Sequence, residues 1–287
     1  MRKVLLLTVF ALLVAPRGAV ADTVGGSGGW VPWSVGDLKS PTYNEFHAAE
    51  ESGNPISRNG TYYWDNMGWG DPSTHNNIGY CLGTTQCGLS TGAMPSYFYG
   101  TSSGGAVNNI TFGGAGTTFL LTFQYTDAMY SPQNVFGWYY IDGDGNIVET
   151  PLFTGASAGA TTLFTSPTGT SYGFYLTSPR AEDHPTWYSD TSRNESLQLE
   201  YNGQLQAYSQ AGDQHFAIFS PNHSSSSPSY WIGAEDLPFE PYPWSSDKSY
   251  TDVTVEMQPV PEPGSLYLFG TGLFGVLGLR FWRRKHS

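Results

Sequence analysis

The sequence predicts an all-β protein, built as a single antiparallel β-sandwich or jelly-roll-like domain. Glycine, serine, threonine, asparagine and proline are abundant, lysine is rare, and 15% of the residues are aromatic. Apolar and polar residues alternate in several short segments separated by turn residues, as expected for half-buried strands. Outside the two chain ends no segment has a convincing helical period of apolar residues. Strands with this spacing favour a sandwich or a jelly roll.

The clearest strand is predicted at residues 119–125, where Phe119, Leu121, Phe123 and Tyr125 share one face. A second strand is predicted at Val135–Ile141, followed by a turn at 142–146 and a return strand from residue 147. Further short strands are predicted at residues 172–177, 197–201, 216–219, 230–233 and 250–257. Residues 39–51 fit one short helix.

The N-terminus has the three parts of a secretory signal peptide. Arg2 and Lys3 form a basic start, residues 4–14 form an apolar run, and Ala19-Val20-Ala21 supplies small residues for cleavage. We therefore predict a signal peptide at residues 1–21 and an exported domain at residues 22–258.

The C-terminus combines Pro261-Glu262-Pro263, an uncharged apolar stretch at 266–279, and the basic cluster Arg283-Arg284-Lys285. Such a stretch with basic residues after it is typical of a membrane segment with a cytoplasmic end. As a helix it would span roughly 21 Å, less than a ~30 Å hydrocarbon core. From these features alone a permanent anchor remains an alternative.

With the Pro-Glu-Pro motif, residues 259–287 closely resemble the PEP-CTERM sorting signal of Gram-negative bacteria. The resemblance implies an exosortase as partner, which would remove the tail from a precursor held in the inner membrane. It further implies a final location at the cell surface or outside the cell.

The exported domain is strongly acidic. In residues 22–262, which remain after both predicted cleavages, five basic residues stand against 24 acidic ones, a net charge of −19 compared with −12 for the whole chain. Such a surface repels nucleic acid, so no nucleic-acid partner is expected.

The chain has two cysteines, Cys81 and Cys87, with five residues between them. In an exported protein such a pair predicts a small-loop disulfide. Closing this loop should stabilise the fold by roughly 2–3 kcal/mol.

Residues 230–237 and 247–253 carry a second resemblance. The first segment reads Tyr-Trp-Ile-Gly-Ala-Glu-Asp-Leu and the second Asp-Lys-Ser-Tyr-Thr-Asp-Val. They are similar to a C-terminal domain of unknown function in exported bacterial proteins, which ends in Gly-x-Glu-Asp-Leu and Asp-x-Asp-Tyr-Asn-Asp. The likeness covers about residues 62–257 and implies location and fold rather than a reaction. Ser249 and Thr251 stand where Asp and Asn are common.

Four carboxylates, those of Glu235, Asp236, Asp247 and Asp252, fall on predicted loops near one strand end. Carboxylate oxygens are hard ligands that suit calcium, so these residues form a candidate calcium site. The alternative is a turn at Asp247 and a solvated strand face at Asp252.

The other candidate sites have simpler interpretations. Asp142, Asp144 and Asn146 match the start of an EF-hand loop, but Ile147 replaces its glycine, so a hairpin turn is favoured. His75, His184 and His215 have no partner at zincin spacing, and His215 is expected to be structural. No nucleophile elbow, Walker loop or dinucleotide fingerprint occurs.

We therefore expect an exported protein of the cell surface or extracellular matrix without catalytic activity. The first alternative is a carbohydrate-binding module for exopolysaccharide, because aromatic rings stack on sugars and seven tryptophans lie near predicted loops or strand ends: Trp30, Trp33, Trp64, Trp69, Trp187, Trp231 and Trp244. Core packing is the competing explanation of these rings. The second alternative is a glycan-processing enzyme with paired carboxylates.

Overall fold

The computed structural model describes residues 22–26, 28–32, 78–83, 88–89, 96–100, 109–126, 133–178, 185–201, 204–209, 213–226, 228–236 and 250–260. Over these residues the predicted all-β class is confirmed. Helical structure in them consists of one short helix, α1 (Ile78–Gly83), and a 3₁₀ turn at Thr191–Arg193. The helix expected at residues 39–51 lies outside the described residues.

Fifteen strands are described, and their bounds in chain order are as follows: β1 (Thr23–Gly25), β2 (Gly28–Pro32), β3 (Ser96–Gly100), β4 (Thr111–Ala115), β5 (Thr118–Tyr125), β6 (Val135–Ile141), β7 (Ile147–Thr154), β8 (Thr161–Thr165), β9 (Thr168–Thr177), β10 (Thr186–Tyr188), β11 (Leu197–Tyr201), β12 (Gln204–Ser209), β13 (Phe216–Ser220), β14 (Tyr230–Ala234) and β15 (Val253–Pro259).

The strands form two main antiparallel sheets. The first sheet has the order β1-β4-β9-β6-β7, with β10 paired to the end of β9. The second sheet has the order β2-β3-β13-β14-β15-β5-β8. Strands β11 and β12 pair as a separate hairpin.

An aromatic core lies between the two main sheets. Phe112 of β4 meets Tyr230 of β14 edge to face, with ring centroids 5.4 Å apart. Phe123 of β5 and Phe153 of β7 make a similar contact at 5.6 Å. Edge-to-face pairs between large buried rings stabilise a core beyond the area that they bury. The sheets therefore pack face to face as a β-sandwich.

The alternation predicted for β5 is confirmed. Phe119, Leu121 and Phe123 are buried, whereas Leu120 is 36% exposed. The predicted bounds of β6 are confirmed, and so are the turn and return strand that follow it. The inward side chains of these strands build one side of the core.

The start predicted for the last strand, residue 250, is wrong, because β15 begins at Val253. Tyr250 has a φ of +57°, a left-handed conformation that is uncommon for residues other than glycine. That conformation breaks the extended backbone, so residues 250–252 approach β15 as a turn. Several strands rich in glycine, serine or threonine, including β1, β4 and β8, were not predicted from the sequence.

Asp22, the first described residue and the first residue after the predicted signal peptide, is fully buried. Its carboxylate accepts hydrogen bonds from the backbone N–H of Ala115 at 2.9 Å and from the hydroxyl of Tyr172 at 2.8 Å. Its carbonyl accepts a hydrogen bond from the hydroxyl of Tyr230 at 2.7 Å. Since Ala115 and Tyr172 belong to the first sheet and Tyr230 to the second, Asp22 links both sheets at the start of the chain.

Burial affects the two tyrosines that contact Asp22. It raises the pKa of the Tyr172 hydroxyl well above its usual value, and the charge of Asp22 adds to the effect. Burial and Asp22 also raise the pKa of Tyr230. Both phenols therefore stay protonated and serve as hydrogen-bond donors over the physiological range.

Candidate metal centre

Three of the four predicted carboxylates meet at the ends of two central strands of the second sheet. Glu235 and Asp236 directly follow β14, and Asp252 directly precedes β15. The pairing of Ala234 with Val253 places these two strand ends side by side. Ligand oxygens of the three residues lie within 4.8 Å of one another. We call these residues the acidic triad.

The acidic triad is buried, which contradicts the solvated strand face considered for Asp252. Glu235 and Asp236 are each 1% exposed, and Asp252 is 8% exposed. Asp252 lies in the bend that leads into β15, and its Oδ2 accepts a hydrogen bond from the N–H of Asp236. Asp247 lies outside the described residues, so its part in the site stays a prediction.

Backbone groups fix the carboxylates of the triad. The N–H of Asp236 donates to Oδ2 of Asp252 at 2.8 Å. The N–H of Tyr250 points to Oε2 of Glu235 at 3.4 Å. The left-handed conformation of Tyr250 accompanies this contact, and such outliers persist where the surrounding structure enforces them. The carbonyl of Asp252 accepts a hydrogen bond from Thr126 Oγ1 at 2.6 Å.

Asn134, which the sequence analysis missed, joins the triad from the opposite sheet. It directly precedes β6, and its Nδ2 donates to Oδ2 of Asp236 at 2.7 Å. Asn134 is 4% exposed, and its Oδ1 is buried with no hydrogen-bond partner. Because Asn134 is 102 residues from Asp236, no local motif could have indicated the contact.

The neighbouring His215 supports the backbone of the triad. Its Nδ1 lies 3.1 Å from the carbonyl oxygen of Glu235, and the N–H of Glu235 donates to the His215 carbonyl at 3.0 Å. The imidazole stacks on the Trp187 ring with centroids 3.9 Å apart. These contacts fit the structural role expected for His215. His75 and His184 lie outside the described residues.

A small helix packs over the sheet next to the triad. A Cβ atom added to Gly233 of β14 would lie 2.3 Å from Cδ1 of Ile78 in α1 and 2.5 Å from the carbonyl oxygen of Tyr250. Both distances are far below van der Waals contact. Only glycine therefore lets α1 and the turn at Tyr250 approach β14 this closely.

Three buried carboxylates within 4.8 Å of one another repel strongly when ionised. A divalent cation at their centre would offset that repulsion, and oxygen ligands are those preferred by calcium and magnesium. The triad could therefore hold a metal ion. The Asn134 carboxamide contacts the same place through its Nδ2.

The aspartate loop of the β6–β7 hairpin forms a turn, as the sequence favoured. Oδ1 of Asp142 accepts hydrogen bonds from the N–H groups of Asp144 and Asn146, at 3.0 and 2.8 Å. Together with the side chain of Asn146, these bonds lower the pKa of Asp142. The Asp142 carboxylate is therefore used to close the turn.

Cys81 lies in α1, where it is buried and disulfide-bonded. Cys87, the other cysteine of the sequence, lies outside the described residues. The Cys81–Cys87 pairing stays a prediction.

The tryptophans considered for sugar binding fall into three groups. Trp187 and Trp231 are buried in the core, so they do not present a surface for sugars. Trp30 is partly buried and stacks on His223 with centroids 4.7 Å apart. The remaining four, Trp33, Trp64, Trp69 and Trp244, lie outside the described residues.

The comparison with known proteins concerns the end of the chain. Residues 259–285 match the PEP-CTERM protein-sorting motif. This confirms the sorting signal inferred from Pro261, Glu262, Pro263, Arg283 and Arg284, and it implies an exported protein processed by an exosortase. No curated protein and no solved structure shows significant similarity to the chain.

The apolar segment of the sorting signal, residues 266–279, lies outside the described residues. Within the part of the chain that the structure describes, no helix has both the length and the apolar character needed to cross a bilayer.

Proposed function

We propose that this chain is an exported protein of the cell surface or extracellular matrix, whose β-sandwich is stabilised by a calcium ion at Glu235, Asp236 and Asp252. The observation that carries the proposal is the burial of three carboxylates within 4.8 Å of one another. Catalysis has no part in the proposed function.

Calcium is proposed because of the chemistry and the compartment. It takes six to eight oxygen ligands in flexible geometry, and three carboxylates can supply up to six of them. Magnesium demands a compact octahedron and keeps several waters, which suits an exposed site better than a buried one. The extracellular location implied by the sorting signal suits calcium modules that bind at millimolar or submillimolar concentrations.

The resemblance of residues 230–237 and 247–253 to the exported domain of unknown function fits this proposal. The two motifs of that resemblance contain all three residues of the acidic triad. We propose that the two motifs together supply the calcium ligands of the triad. Thr251 is buried beside Asp252. It replaces the asparagine that is common at this position in the similar domain, and its hydroxyl is less polar than a carboxamide and equally uncharged.

Thermal melts with calcium and with a chelator test the proposal. An ion present at a hundred times its dissociation constant stabilises the fold by roughly 2.7 kcal/mol. For a domain of this size that difference raises the melting temperature by about 5–10 °C. We expect the exported protein to show this shift when calcium replaces the chelator.

Asp252→Asn sharpens the test, because its effect on stability should have opposite signs in chelator and in calcium. In chelator the variant should be more stable than the wild type, since it relieves repulsion in the triad. In calcium it should be less stable, since it loses a charged ligand. Asp144→Asn, in the exposed hairpin turn, is the control and should leave the calcium response unchanged. Identical melting temperatures of the wild type in calcium and in chelator would contradict the calcium site. The triad would then be a buried acidic cluster that is neutralised without a metal.

A further inference from the structure

We propose that Asn134 is a fourth ligand of the ion, through Oδ1, and that the ion thereby joins the two sheets of the sandwich. This inference rests on the proposed calcium site. It adds a neutral ligand from the first sheet to three carboxylates from the second. The sequence separates Asn134 from Asp236 by 102 residues, so the ion would link distant parts of the chain.

The unpartnered oxygen of Asn134 is the observation that points to a ligand. Asn134 is 4% exposed and its carboxamide lies against the triad, with Nδ2 2.7 Å from Oδ2 of Asp236. Oδ1, at the other end of the same carboxamide, is buried with no hydrogen-bond partner. Buried acceptors are rarely left without a partner, and a bound ion is one of the recognised explanations. The carboxamide of Asn134 therefore makes a hydrogen bond through Nδ2 but none through Oδ1.

Turning the carboxamide over would direct its oxygen at the triad once an ion is present. The positions of oxygen and nitrogen in an asparagine follow from the surrounding hydrogen-bond network. Without an ion, the nitrogen faces Asp236 because a carboxylate needs a donor. With an ion, the oxygen would occupy the nitrogen position. There Oδ1 of Asn134 and Oδ2 of Asp236 could each lie about 2.4 Å from the same calcium.

A neutral ligand suits this place. Three carboxylates and one divalent cation together carry one negative charge, and a fourth carboxylate would double it. A carboxamide oxygen completes the coordination without that repulsion, and asparagine carbonyls are ordinary calcium ligands.

Two substitutions of Asn134 separate a ligand from a hydrogen-bond donor. Asn134→Ala removes both functions and should weaken calcium binding at least about tenfold, a loss that even indirect partners of a metal can cause. Asn134→Asp replaces the donor by an oxygen. If Oδ1 is a ligand, this variant should melt below the wild type in chelator and show a larger rise on addition of calcium chloride. Asn109→Asp, on an exposed residue, controls for added charge.

The outcomes distinguish this inference from the proposed function. A wild type without any calcium response would overturn both. A wild type that responds to calcium, with Asn134→Ala binding it equally well, would overturn the ligand role alone. The ligand role would also be overturned if Asn134→Asp lost the same stability in both conditions, because that is the result for a donor to Asp236. Isothermal titration of each folded variant with calcium chloride supplies the affinities.

Discussion

Gly233→Ala is expected to lower the free energy of unfolding by about 3 kcal/mol, at the upper end of overpacking effects. The added methyl would lie 2.5 Å from the carbonyl oxygen of Tyr250, a backbone atom that cannot rotate away. It would also lie 2.3 Å from Cδ1 of Ile78, which could move only with α1 or by a change of rotamer. The melting temperature should fall by about 6–12 °C.

The same substitution should weaken the calcium response, because Tyr250 also orients Glu235 through its N–H group. Thermal melts of the variant in calcium and in chelator measure both effects. Gly143→Ala is the matched control, since an added Cβ at that position meets no atom within 4 Å. Equal melting temperatures for Gly233→Ala and Gly143→Ala would contradict the close packing at β14.

Asp22→Ala is the second substitution with a large expected effect. It leaves the Ala115 N–H and the Tyr172 hydroxyl without their acceptor in a buried place. Each lost buried partner costs about 1–3 kcal/mol, so we expect a total of about 3 kcal/mol. Chemical denaturation of the exported protein measures the loss.

The neighbouring exposed residue supplies the control for Asp22. Thr23→Ala removes a similar amount of side chain one residue further along, and its effect should stay within about 0.5 kcal/mol. If Asp22→Ala were as stable as Thr23→Ala, the link that we describe between the two sheets would contribute nothing.

The β class and the strongest strands were predictable because the inward residues of a half-buried strand recur every second position. Phe119, Leu121 and Phe123 show this plainly, and they are buried as predicted. Strand β4, with the sequence Thr-Phe-Gly-Gly-Ala, has one large apolar residue and no alternation to detect. Its place in the sheet comes from pairing with β9 and β1, which sequence reasoning from local patterns cannot see.

The candidate site was partly predictable. Glu235, Asp236 and Asp252 lie at the ends of two strands that follow each other in the chain and pair directly, so their proximity follows from a local argument. Their burial did not follow, because it depends on a turn made by a left-handed Tyr250. Asn134 could not be found at all, since only the packing of the two sheets brings it to Asp236.

The most direct test of a calcium ion in the acidic triad is anomalous scattering from a crystal of the exported protein grown with calcium. We predict one strong peak per chain within about 2.6 Å of oxygens from Glu235, Asp236, Asp252 and Asn134. A crystal with no peak among these residues, or with its calcium only at the Asp142 turn, would contradict the account.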